Sequence, residues 1–233
     1  PPPEVRTEPE PPLAAATTEA GAEAARVVAR ALHRARDVLH AAEDELGALD
    51  AVAGDGDHGR GMLKGANAAV RRVDELPPGA GVAWLLARAG RAWAEHAGGT
   101  SGVLWGAALE AAGASLGDDR DAYAPAHVVD AVDAFAESVQ DLGRASAGDK
   151  TLLDALLPFA AAFREQVSAG AGTAEAWAAA ADAASQGARD TAALRPRVGR
   201  ARPLAEKSVG TPDAGATSFA LVVTRVGDLL TGR

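Results

Sequence analysis

The sequence predicts an all-α protein, and three observations carry that prediction. Alanine, the strongest helix former, is abundant, while one tyrosine and four phenylalanines leave little material for aromatic-rich strands. Apolar residues recur at helical spacing along most of the chain. No alternating run of useful strand length occurs.

The elements follow in order. Residues 1–19 open with PPPEVRTEPEPP, a stretch holding six of the 13 prolines and three glutamates. That composition predicts a disordered or polyproline-like linker, with the helical domain over 20–233. The first residue is not methionine, so the leader reads either as a processed edge or as a spacer from a domain upstream. Its Pro/Glu character favours the spacer. A long helix is expected over 20–47. There Val27, Val28, Ala31, Leu32, Ala35, Val38, Leu39 and Leu46 share a stripe, with Arg26, Arg30, Arg34 and Glu43 off it. Further helices are expected over 60–75, 81–97, 101–116, 125–142, 149–168, 173–190 and 213–231. The connections carry glycine or proline, as at Pro77-Pro78-Gly79, Gly98-Gly99 and Gly170 to Gly172. One long loop runs over 191–212. Eight helices on short connections are mostly antiparallel, and no internal repeat is visible.

Composition excludes several classes of function. A net charge of −9 argues against a grip on nucleic-acid phosphates and against a polybasic membrane anchor. No apolar run approaches the ~18 residues of a membrane span, and no signal peptide is visible. The absence of cysteine excludes disulfides and thiol chemistry and fits a reducing compartment, so the expected location is the cytoplasm.

Chemistry concentrates in four stretches. In LGALDAVAGDGDHGRGM, Gly54, Gly56 and Gly59 fit a dinucleotide-loop pattern, yet the preceding segment reads as helix where that loop needs a strand. An EF-hand from Asp55 fails as well, because Arg60 stands where glycine is needed and Ala66 where glutamate is needed. Asp50, Asp55 and Asp57 remain, on one glycine-rich turn. Hard oxygen ligands in a short loop suit Mg²⁺, which completes its shell with water and phosphate. The other reading is an Asx turn with solvated aspartates. His58 either donates to a phosphate or caps the turn. In HAGGTSGVLWGAAL, Thr100 and Ser101 read as N-caps of an apolar helix, giving either an anion site or an ordinary capped hairpin. GRASAGDKTLLDALLPF is a near miss to a P-loop. Asp149 breaks the pattern and no strand precedes it, so Lys150 reads as a helix-surface lysine. In KSVGTPDAGATSFAL, Asp213 opens the last helix, where it either stabilises the dipole or accepts from a ribose or an amine.

Together and in this order, the four stretches resemble the nucleotide-binding L domain of dihydroxyacetone kinases, over about residues 46–219. The resemblance implies a barrel of eight antiparallel helices with ATP or ADP at one end and two Mg²⁺ ions held by Asp50, Asp55 and Asp57. It implies nucleotide contacts at His58, Gly59, Arg60, Gly61, Thr100, Ser101, Gly143, Leu152, Arg200, Asp213, Ala214 and Gly215. Ala214 departs from the proline common in that last turn. The loop 191–212 would carry Arg200 over the phosphates. In such enzymes the ketose is held covalently on a histidine of a separate K domain or subunit, through which a dimer can form. The implied activity is phosphorylation of dihydroxyacetone, with no general base in this half. The donor is free ATP in fused chains; in the other branch, ADP on a separate subunit is recharged by a phosphotransferase-system protein. The Pro/Glu leader favours the fused form. A related short ketose such as erythrulose is the alternative substrate.

Overall fold

Helix-start and helix-stop residues divide the chain much as the periodicity does. The computed structural model describes residues 17–198 and 205–233. Among the described residues there are ten α-helices and no strand: α1 (Glu19–Ala41), α2 (Glu43–Ala51), α3 (His58–Asp74), α4 (Val82–Ala97), α5 (Gly99–Leu116), α6 (Pro125–Gly143), α7 (Leu153–Ser168), α8 (Thr173–Asp190), α9 (Ala205–Ser208) and α10 (Ala214–Thr231). None of the described helices is long and apolar enough to cross a membrane.

The eight long helices close into a ring. In order, α1, α3, α4, α5, α6, α7, α8 and α10 each pack on the next, and α10 returns to α1. The starts of α3, α5, α7 and α10 and the ends of α4 and α6 line one cleft, so neighbours run antiparallel around the barrel. The scarce aromatic residues fill the interior. Trp93 stacks on Trp105 at 5.3 Å, Trp105 meets Phe135 and Phe219 edgewise or tilted, and Phe159 joins Phe219, Phe163 and Trp177. Small residues let the wall close around this column. A methyl group on Gly90 or on Gly106 would come within 2.5 Å of the other's carbonyl oxygen, so α4 and α5 touch backbone to backbone there.

The barrel end opposite the cleft is sealed by polar capping. Asp118, after α5, accepts from the amides of Ala83 (2.7 Å) and Trp84 (3.2 Å) at the start of α4. Thr18 donates its amide to the Asp118 carbonyl at 3.2 Å and caps α1 by accepting from Gly21. Glu19, inside the stretch expected as linker over 1–19, is therefore already helical. Residues 1–16 of that stretch lie outside the described part.

Four expectations change in detail. The helix predicted over 20–47 is two helices on one path, with a joint at Ala42. Neither glycine nor proline marks it, because the i→i−4 bonds Ala42 to Val38 and Leu46 to Ala42 both persist. The first turn of α3 packs on this joint. Among the described residues the count is accordingly ten rather than eight, with α2 and α9 as short additions to the eight of the ring. Thr100 and Ser101 are not N-caps. Gly98, at φ 70°, caps α5, and both residues lie in the first turn. Helix α7 starts at Leu153 rather than 149, because Asp154 accepts from the amides of Gly148 (2.5 Å) and Thr151 (2.8 Å) and folds that stretch into a turn. Last, the loop 191–212 contains a short 3₁₀ turn, Thr191–Ala193, and α9.

Candidate functional site

The aspartate loop builds one wall of the site. Asp50 lies in the last turns of α2. Its carbonyl accepts from Gly54 at 2.6 Å and its carboxylate from the Asp57 amide at 3.0 Å, which bends residues 51–57 back on themselves. Carboxylate oxygens of Asp50, Asp55 and Asp57 all lie within 4.8 Å of one another. Asp57 occupies the N-cap position of α3 yet makes no side-chain capping bond. A capping aspartate would have turned inward to its own helix. Carboxylates so close repel one another, a repulsion that a bound cation would relieve, and their all-oxygen character and short loop would suit Mg²⁺.

The starts of α3, α5, α7 and α10 meet at the same end of the barrel, around a cleft of about 540 Å³. Helix N-termini carry partial positive charge and unpaired amides, so four of them facing one cavity favour an anion. Neither α3 nor α5 has a side-chain cap, which leaves first-turn amides without an intrahelical acceptor. The floor is apolar, with Leu49, Met62, Leu104, Trp105, Val139 and Leu153. A cavity of this size with an apolar floor and a polar, anion-attracting rim fits a nucleotide.

The predicted site residues divide as follows. Asp50, Asp57, His58, Gly61, Thr100, Ser101, Gly143, Leu152, Asp213, Ala214 and Gly215 all line the cleft. Asp55 joins through the carboxylate cluster. Arg60 is exposed on α3, away from the lining. Gly59 is buried at the joint between α1 and α2, where a methyl group would fall 2.0 Å from the Glu43 carbonyl oxygen. Its lack of a side chain therefore serves helix packing. Arg200 lies outside the described residues.

Two half-buried polar groups complete the lining. The His58 imidazole nitrogen Nε2 is 2.9 Å from Ser218 Oγ, and that hydroxyl donates to the Gly215 carbonyl at 3.0 Å, linking α3 to the first turn of α10. Burial holds the imidazole below its usual value, against the pull of Asp50 and then Asp57. Asp213 caps α10, accepting from the Ala216 amide at 2.8 Å. Burial pushes its carboxyl up to about 6, helped by the Asp154 charge and opposed by the Ala216 amide and Lys150.

Lys150 is the residue that sequence reasoning misplaced. It is 5% exposed, not a surface lysine, and adopts a left-handed φ of 61°. Its ammonium donates to the carbonyls of Ser208 (2.6 Å) and Leu194 (3.2 Å). The available signal was Asp154 three residues after a Gly-Asp-Lys-Thr run, which predicts a side-chain-pinned turn rather than a helix.

Comparison with known proteins agrees with this geometry. Residues 52–228 match the model of the DAK2 domain. The chain is 54% identical over 226 residues to a D-erythrulose kinase of Mycolicibacterium smegmatis, covering 95% of this chain and 38% of that protein. It is 51% identical over 214 residues to an L-erythrulose kinase of Pectobacterium atrosepticum, covering 91% and 36%. Against the triokinase/FMN cyclase of Homo sapiens it is 33% identical over 221 residues, covering 95% and 38%. Among solved structures, the dihydroxyacetone kinase from C. freundii in complex with AMP-PNP and Mg²⁺ superposes with a TM-score of 0.71 at 26% identity, covering 96% of this chain and 36% of that one. The chain thus spans less than two fifths of the length of these relatives.

Proposed function

Because the chain belongs to the DAK2 domain family, we propose that it is the nucleotide-binding, phosphoryl-donor part of a short-chain ketose kinase. The observation that carries this reading is the meeting of three carboxylates within 4.8 Å with four helix N-termini at one cleft. Carboxylates alone would repel a phosphate, and helix termini alone would bind any small anion. The combination selects an anion that brings a divalent cation, as MgATP does.

Phosphoryl transfer depends on positioning and charge stabilisation more than on covalent chemistry by the protein. Asp50, Asp55 and Asp57 would hold Mg²⁺, two ions on our reading, which when bound neutralises charge on the phosphates. The first-turn amides of α3 and α5, with Thr100 and Ser101, hold phosphate oxygens. The apolar floor accepts the base. Asp213, Ala214 and Gly215 shape the opposite wall, and Arg200 supplies a further phosphate contact. The acceptor then arrives on a separate K domain or subunit, as the greater length of the relatives supports. The greater length of the relatives supports a fused, ATP-dependent form over a phosphotransferase-dependent subunit.

The acceptor is better read as erythrulose than as dihydroxyacetone, because relatives that are 54% and 51% identical carry that name. The test is a kinase assay in which this chain, MgATP and the ketose-binding portion of such a relative are combined with each ketose. Transfer to erythrulose above dihydroxyacetone is expected. Transfer to neither ketose would remove the donor assignment.

A further inference from the structure

Ser218 has no part in the scheme above, although it stands in the KSVGTPDAGATSFAL stretch that the sequence singles out. It is 0% exposed in α10 and does not line the cleft, so any effect on a bound nucleotide must pass through a neighbour. Its hydroxyl oxygen is 2.9 Å from His58 Nε2 and 3.0 Å from the Gly215 carbonyl oxygen. His58 does line the cleft, as the first residue of α3 and next to Asp57 of the carboxylate cluster. In the ring, α3 and α10 are separated by α1. The bond from His58 to Ser218 therefore ties the carboxylate wall directly to the wall formed by Asp213, Ala214 and Gly215.

A serine hydroxyl has one hydrogen to give, and a carbonyl only accepts. Both bonds exist together only when the hydroxyl donates to Gly215 and the imidazole donates from Nε2. In the neutral ring, Nδ1 is then left with a lone pair. Nδ1 makes no hydrogen bond to any described residue. It is also not among the buried polar atoms without a partner, so it is open to solvent. We propose that Ser218 is a positioning residue that fixes the His58 ring with its proton on Nε2, so that His58 meets a ligand in the cleft as an acceptor through Nδ1 and not as a donor to phosphate. A bare imidazole nitrogen and a phosphate oxygen are both acceptors and repel one another. Nδ1 instead favours a donor, either a water carried by a cation on the neighbouring carboxylates or a sugar hydroxyl. Phosphate is then left to the first-turn amides, which donate without any side chain. The torsion that turns an imidazole about its Cβ–Cγ bond is broad, so a bond from a second helix is what holds the ring plane.

This inference rests on the nucleotide reading only for its ligand tests. The first test uses the ligand-free chain with ¹⁵N-labelled histidine, in NMR spectra at pH 8, where an ordinary imidazole is neutral. His58→Asn identifies the His58 signals among those of the five histidines. A proton bonded to Nε2 and protected from exchange with water is expected, with Nδ1 unprotonated. Ser218→Ala should lose that protected proton, because the Gly215 carbonyl keeps an amide of its own helix while the imidazole loses its partner. Ser218→Thr keeps a hydroxyl that can reach the same carbonyl and should retain it. A proton on Nδ1 in the native chain would overturn the proposal, whatever the chain binds and whether or not the variants fold. So would a protected Nε2 proton that persists in folded Ser218→Ala. Adding Mg²⁺ alone and then ADP separates the two donors. A change at Nδ1 with Mg²⁺ alone identifies the water, and a change that waits for ADP identifies the hydroxyl. No change although ADP binds would overturn the acceptor role. The last test is calorimetry with MgADP and with a non-hydrolysable MgATP analogue. Ser218→Ala is expected to weaken both by the same factor, roughly tenfold. Unchanged affinity, or a loss that grows with the number of phosphates, would overturn the proposal. Failure of the native chain to bind MgADP would instead remove the nucleotide reading and leave the ligand-free result standing.

Discussion

Asp57 stands where a helix start favours a cap, and it declines to cap. On the proposed reading, that geometry fits a metal-ligand loop better than the Asx turn that the sequence leaves equally open. Asp57→Ala is therefore expected to keep the helical circular dichroism and lose MgADP affinity by more than the roughly 10–100-fold typical of residues one shell further out. Without nucleotide, its melting temperature should stay level or rise, because one of three repelling charges is gone. Retained affinity would return the loop to the solvated-turn reading. Asp213 gives a pH signature. Its folded-state value is raised from 3.8 to about 6, so the folded state binds more protons than the unfolded state between those values. The stabilisation is fully present below about 4 and is lost as pH rises to about 6, by up to ~3 kcal/mol. Asp213→Asn keeps a good cap and should flatten that slope in urea denaturation at pH 4 to 6.5. An unchanged slope would place the titration elsewhere.

At the scale of elements, legibility followed locality. The helix over 173–190 is found with the same bounds, and those over 81–97 and 125–142 shift by one residue, because Gly172, Gly98 and Pro125 mark their ends in the sequence itself. The joint at Ala42 was illegible, since its cause is the approach of α3 at Gly59, a residue distant in sequence from α1. Lys150 was illegible for a similar reason. Its partners are carbonyls 44 and 58 residues away, and backbone acceptors leave no mark in side-chain spacing. The aspartates, glycines and helix starts of the site could be read because each motif is contiguous, whereas their meeting at one barrel end followed only from the family resemblance and not from the spacing. Packing at this scale is tested at α4 and α5. Gly106→Ala puts a methyl group 2.5 Å from the Gly90 carbonyl oxygen, so the two helices must separate. The expected cost is about 1–3 kcal/mol or more by chemical denaturation. A neutral substitution would mean that the helices are less closely seated.

For the whole molecule, the antiparallel ring puts alternate helix starts at one end, so the fold itself generates an anion-attracting rim before any side chain is chosen. On the proposed reading, three aspartates then convert that rim from a general anion site into one that requires a cation. At the opposite end, Asp118 and Thr18 satisfy helix-start amides of α4 and α1. The chain alone should bind nucleotide yet leave ketose untouched, and adding a ketose-bearing domain should restore turnover at about 1–100 s⁻¹. Sustained turnover by the chain alone would mean a complete active site within it. The most direct measurement of the central claim is an isothermal titration of this chain with ADP, in Mg²⁺ and again in excess EDTA. Saturable binding in Mg²⁺ that disappears in EDTA and in Asp57→Ala is the predicted result. Binding that is indifferent to the metal, or no binding in its presence, would contradict it.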